Sequence, residues 1–542
     1  MKANILTKIA LSALLGCSVI ACDEASFLDT SNPNEVTNDN FWRDEADANS
    51  AMATIYSPIR GQMYGYFGAF TGFQNQNVRA DDVWTIYDDL QTWDIAVFQN
   101  DPNTDRYDFG SFYSSINRAN VFLENIDRVP MDDAQKDQMI GEAHFLRGFN
   151  YFLLVTNYGE APLRLKPVVF TADAMAPSAS SEELWKQVMA DMTEAKNRLP
   201  IDRPAEEAGR VTKGAAIAYL GKSYIYQKQY KEGKQELEII MKSPYKYDLM
   251  ANYEDNFTPN FKFNKESIFE LNYAKYGSGS WNAEGANDTQ GMVLPNFIGT
   301  PLTGGWFKMM PTASIIDEFL VEKRPNGSES LFDKRIYTNF FFKYSDYGDV
   351  KADEKWYGNR YSFDQLWKST EGKRSGGKQP IYSEINGKEG RFLPKKFTAF
   401  WLDKENGDSM YNPEPIDNNY RVMRFAEILL LHAEAAINSG NLAEAATDLN
   451  RIRNRAGLPN KTWGGASELM AEIQHQNLLE FWFEGHRFFD LQRWHTALEI
   501  KDIFVKNKKQ GADKFKEKYT VYPLPQSELN TNTEIQQHPL WR

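Results

Sequence analysis

Cysteine is nearly absent from this chain. Among its 542 residues only Cys17 and Cys22 carry a thiol, and both fall within the first 22 positions. The body of the protein therefore has neither a disulfide nor a cysteine-based metal site. Long apolar runs are equally scarce: the one marked run, from Ile9 to Ala21, is too short for a comfortable membrane span. A basic surplus is missing too. The net charge is −13, or −15 once Lys2 and Lys8 leave with a leader. Such a surface repels phosphate backbones and anionic headgroups, which argues against nucleic acid and direct membrane-surface binding. There is no G-x-S-x-G elbow, Walker loop, H-E-x-x-H or dinucleotide fingerprint. Only six histidines are present, and His475, His486 and His495 come nearest to clustering. Their phenylalanine and tryptophan neighbours favour packing or capping roles over metal ligation or proton transfer. Asp81 and Asp82 are adjacent, so their side chains diverge in an extended chain and do not form the opposed pair a glycosidase needs. No catalytic residue, metal ligand or cofactor is assigned, and nothing in the sequence indicates a structural Ca²⁺.

What the chain does have is aromatics and helical periodicity. It carries 35 Phe, 27 Tyr and 13 Trp. From Val422 the apolar positions Phe425, Ala426, Leu429, Leu430, Ala433, Ala436 and Ile437 recur at helical spacing. Arg424, Glu427, Glu434 and Asn438 fall on the opposite side, as an amphipathic helix requires. Gly440 is placed to end that helix, and Asn441 with Glu444 reads as a capping box for the next, which stops at Gly457-Leu458-Pro459. So short a turn makes the two helices antiparallel. Ala216 to Ile240 repeats the pattern, Gly221 and Gly233 matching Ala433 and Ala445 at the same separation. Small residues at fixed places let helices approach closely, as in tetratricopeptide-type repeats.

IRNRAGLP at 452–459, EGHRFFDLQRW at 484–494 and YPLP at 522–525 resemble the C-terminal signature of the SusD/RagB family of Bacteroidetes surface lipoproteins. EAHFLRGFNYFLLVTNYGEAPL at 142–163 and VTKGAAIAYLGKSYIY at 211–226 extend the resemblance over most of the chain. It departs at Gln476-Asn477, where the family usually has a Glu-Arg pair. Phe488, Phe489, Leu491 and Trp494 are expected to pack helices, and Arg487 and Asp490 to pair locally. The resemblance implies a mainly α fold: a tetratricopeptide-like helical-hairpin scaffold with a large irregular loop-rich module and few short strands. It further implies nutrient capture for a SusC-like TonB-dependent outer-membrane transporter.

The organisation follows in chain order. Residues 1–21 read as a lipoprotein signal peptide, with Val19-Ile20-Ala21-Cys22 similar to a lipobox and Cys22 as the lipidated residue. In the hosts of this family, acidic residues such as Asp23-Glu24 after that cysteine resemble a surface-export signal, which places the protein at the outer membrane facing the exterior. Residues 22–40 read as a tether and 41–276 as a helical scaffold, with helical patterns over Asp44–Arg60, Phe112–Ile126, Glu142–Thr156 and Glu182–Leu199. Within that scaffold, 61–108 is a ligand-loop region. Residues 277–420 read as the irregular module and 421–542 as the C-terminal repeat region. Ser267–Leu271 and Val521–Pro525 read as short strands.

A sugar offers an apolar C–H face and a rim of hydroxyls, so its receptor needs flat aromatics beside short polar or planar charged groups. Three stretches supply both. The first holds Asn77, Arg79, Asp82, Trp84, Tyr87 and Trp93, the second Trp281, Asn282 and Trp306, and the third Tyr357 and Arg360 beside Trp356. Trp42, Trp185, Trp482 and Trp494 sit within helical patterns and are assigned to the core. The expected function is capture of an oligosaccharide or polysaccharide without catalysis. Peptide capture, a surface glycoside hydrolase and a ligand-free scaffold remain open alternatives.

Overall fold

The computed structural model describes residues 41–542 apart from 62–64, 70, 87–89, 105–106, 275–290, 375–381, 386–387 and 403–415. Cys22 and its tether, Tyr87, Trp281 and Asn282 lie outside the described residues. The helices before the central module are α1 (Glu45–Arg60), α2 (Gly72–Val78), α3 (Leu90–Ala96), α4 (Phe109–Asn125), α5 (Asp133–Tyr158), α6 (Ser181–Arg198), α7 (Lys213–Tyr226) and α8 (Tyr230–Ile240). After it come α9 (Phe425–Asn438), α10 (Leu442–Arg455), α11 (Ala466–Glu480), α12 (Arg487–Trp494) and α13 (Ala497–Lys506). Successive long helices pack in sequence, α4 on α5, α5 on α6, α6 on α7, α7 on α8, α8 on α9, and α9 on both α10 and α11. That stack of hairpins is the tetratricopeptide-like scaffold.

Local chemistry explains several of these elements. Ser180 caps α6 by accepting from the Glu183 amide, while the Glu183 carboxylate accepts from the Ser180 amide at 2.8 Å. Between α7 and α8, a Cβ on Gly221 would lie 2.6 Å from Leu237 Cδ2, and one on Gly233 2.6 Å from Ile225 Cγ1. The small residues are thus required by the close approach of the two helices. Asn441 does begin α10, but its side chain makes no capping bond, and Glu444 pairs with Lys234 of α8 instead. The Val521–Pro525 stretch is not a strand. Pro523 and Pro525 have no N–H to donate, and the Gln537 side-chain amide bonds both the N–H and the carbonyl of Leu524.

The central region contains short helices and two-stranded antiparallel ladders rather than a single sheet. Two of these ladders join distant parts of the chain. β1 (Val83–Thr85) pairs with β3 (Met309–Pro311), and β2 (Ser267–Leu271) with β4 (Tyr420–Arg424). One continuous apolar core runs through the described residues from Trp42 to Ile535. Trp42 and Trp482 are buried, and Trp185 and Trp494 pack against the core half-buried.

Of the four polar positions expected on the outer side of α9, Asn438 is exposed, but Arg424, Glu427 and Glu434 are buried. Glu427 bonds Lys222 at 2.7 Å, Glu434 pairs with Arg493 from α12, and Arg424 enters a charged network. There the Arg424 guanidinium reaches Glu266 at 2.6 Å, Glu480 at 2.9 Å and Glu484 at 2.8 Å. Arg455 joins Glu266 and Glu480, Arg335 joins Asp333 and Glu480, and Lys396 joins Glu484 at 2.7 Å. Burial disfavours the charge on Glu480, but the guanidiniums of Arg455, Arg424 and Arg335 outweigh it and hold the carboxyl well below its usual range. Gln476, at the site of departure from the family pattern, accepts from Arg335 at 2.8 Å and donates to Glu472 at 2.9 Å. A neutral amide thus links two charged clusters at the position where the chain departs from the family's Glu-Arg pair.

Removing one member of a buried, balanced cluster strands the others. Arg424→Met should cost about 3–5 kcal/mol in urea unfolding. Lys461→Met, at the solvent-facing end of the Glu472 cluster, should cost less than about 1 kcal/mol.

Candidate functional site

Among the described residues, parts of the first and third aromatic stretches meet the segment 296–310, which carries Trp306 of the second. Trp84 of β1 lies opposite Met310 of β3, and the Ile86 amide donates to the Lys308 carbonyl at 3.1 Å. The first stretch is thereby held beside Trp306. The segment folds on itself through Trp306 N–H to Asn296 C=O, Phe307 N–H to Gly299 C=O and Lys308 N–H to Phe297 C=O. The third stretch adjoins it through the Tyr357 hydroxyl, which donates to the Thr398 carbonyl at 3.0 Å and bonds the Thr303 side chain.

Alternation along these short strands sorts the side chains. In β1, Val83 and Thr85 are buried and Trp84 is half-buried; along the partner segment Phe307 and Met309 point in while Trp306 and Lys308 are partly exposed. The Trp306 ring rests on Phe297 at 4.8 Å, with the Lys308 ammonium 5.9 Å from it. Trp93 and Arg360 are also half-buried. The Trp84 indole Nε1 is enclosed without a hydrogen-bond partner. Lys308 was not anticipated; the outward partners of a three-residue ladder become visible only once its register is known.

The other predicted residues among those described face inward. Asn77 accepts from the Gly485 amide at 3.1 Å and donates to the Phe73 carbonyl at 2.8 Å. Arg79 lies between the rings of Phe488 and Tyr522, 3.9 and 4.0 Å from their centroids, and donates to the carbonyls of Tyr519 and Thr520. Tyr357 and Trp356 pack on Phe341. These short polar and planar groups therefore position the loop, and among the described site candidates Trp84, Trp93, Trp306 and Arg360 keep part of their surface exposed.

The anchors of the loop come from the C-terminal signature. Arg487 donates to Asp81 at 2.9 Å rather than to Asp490, which takes Arg493 instead. The Trp482 indole donates to the Asp82 carbonyl at 3.1 Å. Gly485 adopts φ +78°, and a Cβ there would sit 2.5 Å from Gln76 Oε1. Beyond α13, the Gln510 side chain bonds both the N–H and the C=O of Thr85. The geometry of the signature is thus the seat of the loop.

Comparison with known proteins agrees with this architecture. A sequence profile of the SusD family matches residues 265–541, which is half of the chain. The chain belongs to the SusD family. A second profile, described as starch-binding associating with outer membrane, matches residues 26–225. Among SusD-family relatives, a SusD-like protein of Formosa agariphila is 23% identical over 538 residues, covering 95% of each chain. The starch-binding protein SusD of Bacteroides thetaiotaomicron is 23% identical over 447 residues, 78% of this chain and 76% of that protein. A SusD superfamily structure from Bacteroides vulgatus superposes with a TM-score of 0.77 at 27% identity, covering 92% of this chain and all of the other. Surface glycan-binding protein A from Bacteroides thetaiotaomicron, in complex with laminarihexaose, shares the fold at a TM-score of 0.70 and 20% identity, covering 91% and 99%.

At the foot of the SusD-family loop, Asp82 is buried with Oδ1 unpartnered. Burial, then the neighbouring Asp81 charge, pushes its carboxyl up to about 7. A folded-state value above that of the unfolded chain means that the folded form keeps its proton longer. The contribution of Asp82 to stability therefore falls as pH rises from about 4 to about 7 and is level beyond. Asp82→Asn removes the ionisation, so the variant's advantage in urea midpoint over the native chain should grow through that window and then stop growing.

Proposed function

We propose that this protein is a lipid-anchored, non-catalytic surface receptor. It captures an oligosaccharide or polysaccharide and passes it to a SusC-like TonB-dependent transporter in the outer membrane. The pairing of β1 with the segment that carries Trp306 supports this reading. It holds two partly exposed indoles, Trp84 and Trp306, on paired backbone, with Lys308 beside Trp306, the composition a pyranose face and hydroxyl rim call for. The relatives support the ligand class: one is named for starch and another was solved with a laminarin oligosaccharide. The family description supports outer-membrane association, with Cys22 as the proposed lipid attachment and the lipid as the membrane contact.

Two described carboxylates next to β1, Asp81 and Asp82, support binding without turnover. Asp81 is bonded to Arg487 and Asn507, and Asp82 is buried under the loop. Neither is free to attack or protonate a glycosidic bond. The receptor would work by many weak contacts, so that retention and release both remain fast.

Native affinity electrophoresis against soluble glucans and other polysaccharides tests this. One polymer should retard the protein, and Trp84→Ala or Trp306→Ala should weaken that interaction about tenfold or more. Trp281→Ala reports on the second stretch. The polymer should remain intact after prolonged incubation. Absence of retardation by any polysaccharide, or release of reducing ends, would overturn the reading.

A further inference from the structure

Away from the loop region, one histidine is built in a way that packing does not account for. His432, on α9, is buried between α8 and α10 with only 6% of its side chain exposed. Its Nδ1 lies 2.6 Å from Asp448 Oδ2. A carboxylate can only accept, so Nδ1 carries the proton, and in the neutral ring Nε2 presents a lone pair. That Nε2 is enclosed and has no hydrogen-bond partner. It faces Glu238 Oε1 at 3.7 Å and Glu444 Oε2 at 4.0 Å. The three atoms lie within 4.8 Å of one another.

We propose that Glu238, His432 and Glu444 form a divalent transition-metal site, suited to Zn²⁺, that ties the first helical hairpin to the second. Tetrahedral Zn²⁺ with bonds of about 2.0–2.2 Å sets its ligand atoms about 3.4 Å apart, so each carboxylate must approach Nε2 by about 0.3–0.6 Å and the two carboxylates each other by up to about 1.4 Å, within the reach of side-chain rotation at the exposed Glu444. The imidazole selects Zn²⁺ and its neighbours over Ca²⁺ and Mg²⁺, which take oxygen ligands. Asp448 supplies the carboxylate that commonly orients a metal-bound histidine, and Lys242 holds the other Glu238 oxygen at 2.9 Å.

A cation already stands at this position. The Lys234 ammonium bridges the same two carboxylates, bonding Glu238 Oε1 and lying 2.8 Å from Glu444 Oε2. The lysine mimics one charge of the ion and must swing aside, past the solvent-exposed Glu444, for the metal to enter. This competition makes a specific demand: removing the lysine must strengthen metal binding. No spacing motif along the chain marks the site, because its ligands come from three helices.

The test is calorimetric titration of ZnCl₂ into untagged, chelator-treated protein, paired with thermal melts. One Zn²⁺ per chain should bind and raise Tm with increasing concentration. Glu444→Gln, at a half-exposed position, should weaken binding at least about tenfold, Asp448→Asn about 10–100-fold, and His432→Gln should abolish it. Lys234→Ala should tighten it. Failure of the native chain to take up Zn²⁺, binding unchanged in Glu444→Gln, weaker binding in Lys234→Ala, or equal affinity for Mg²⁺ would each overturn the proposal.

Discussion

The buried ionic cluster around Arg424 is the interaction on which the rest of the structure depends. It joins the end of β4, the end of α10, the end of α11 and the turn after it, the chain at Glu266 beside β2, and the central region through Arg335 and Lys396. Four cations (Arg335, Lys396, Arg424 and Arg455) face four anions (Glu266, Asp333, Glu480 and Glu484) with almost no solvent. Such an arrangement adds little net stability over apolar packing, because desolvation offsets most of the attraction. Its energetic weight lies in specificity. Any register or docking that leaves one charge unmatched is heavily penalised, so helical hairpins and irregular module can meet in only one way.

This accounts for why the motifs that reveal the family are remote from ligand chemistry. Arg453 and Arg455 of the IRNRAGLP segment, with Glu480 and Glu484 of the segment that precedes and begins EGHRFFDLQRW, are members of buried clusters. The next residues of that motif, Gly485 and Arg487, hold Asn77 and Asp81. One short sequence thus terminates the charge network and seats the loop that carries Trp84. Substitutions there would disturb folding and binding together.

The scaffold was legible because its signals are local. Helical spacing, the Ser180–Glu183 box, Gly440 and the paired small residues each act within a few positions, and the structure places helices where they predict. Reading broke down where partners are distant. Arg424, Glu427 and Glu434 look solvent-directed by periodicity, yet Glu266, Lys222 and Arg493 draw them inward. Arg487 has a suitable acid three residues on, but Asp81 competes successfully for it. For the candidate site, composition singled out stretches of chain by their aromatic and polar content alone. It could not separate Asn77 and Arg79, which hold the loop, from Trp84 and Trp306, because burial of a polar side chain is decided by residues some 400 positions away.

The ladder that carries the aromatic surface is short, and its geometry is imposed from outside. Three residue pairs give little stability of their own. The Gln510 side chain grips Thr85, Trp482 and Thr312 bond the Asp82 carbonyl, and Thr312 also bonds that of Asp81, so the backbone of β1 is fixed by side chains and neighbours rather than by a sheet. The backbone of β1 is therefore held largely by groups that lie outside the ladder. Along β1 the residues that fix the strand, Val83 and Thr85, are separated from Trp84, the one the proposed function assigns to the ligand, and the separation follows from the alternation of a β-strand with one face buried.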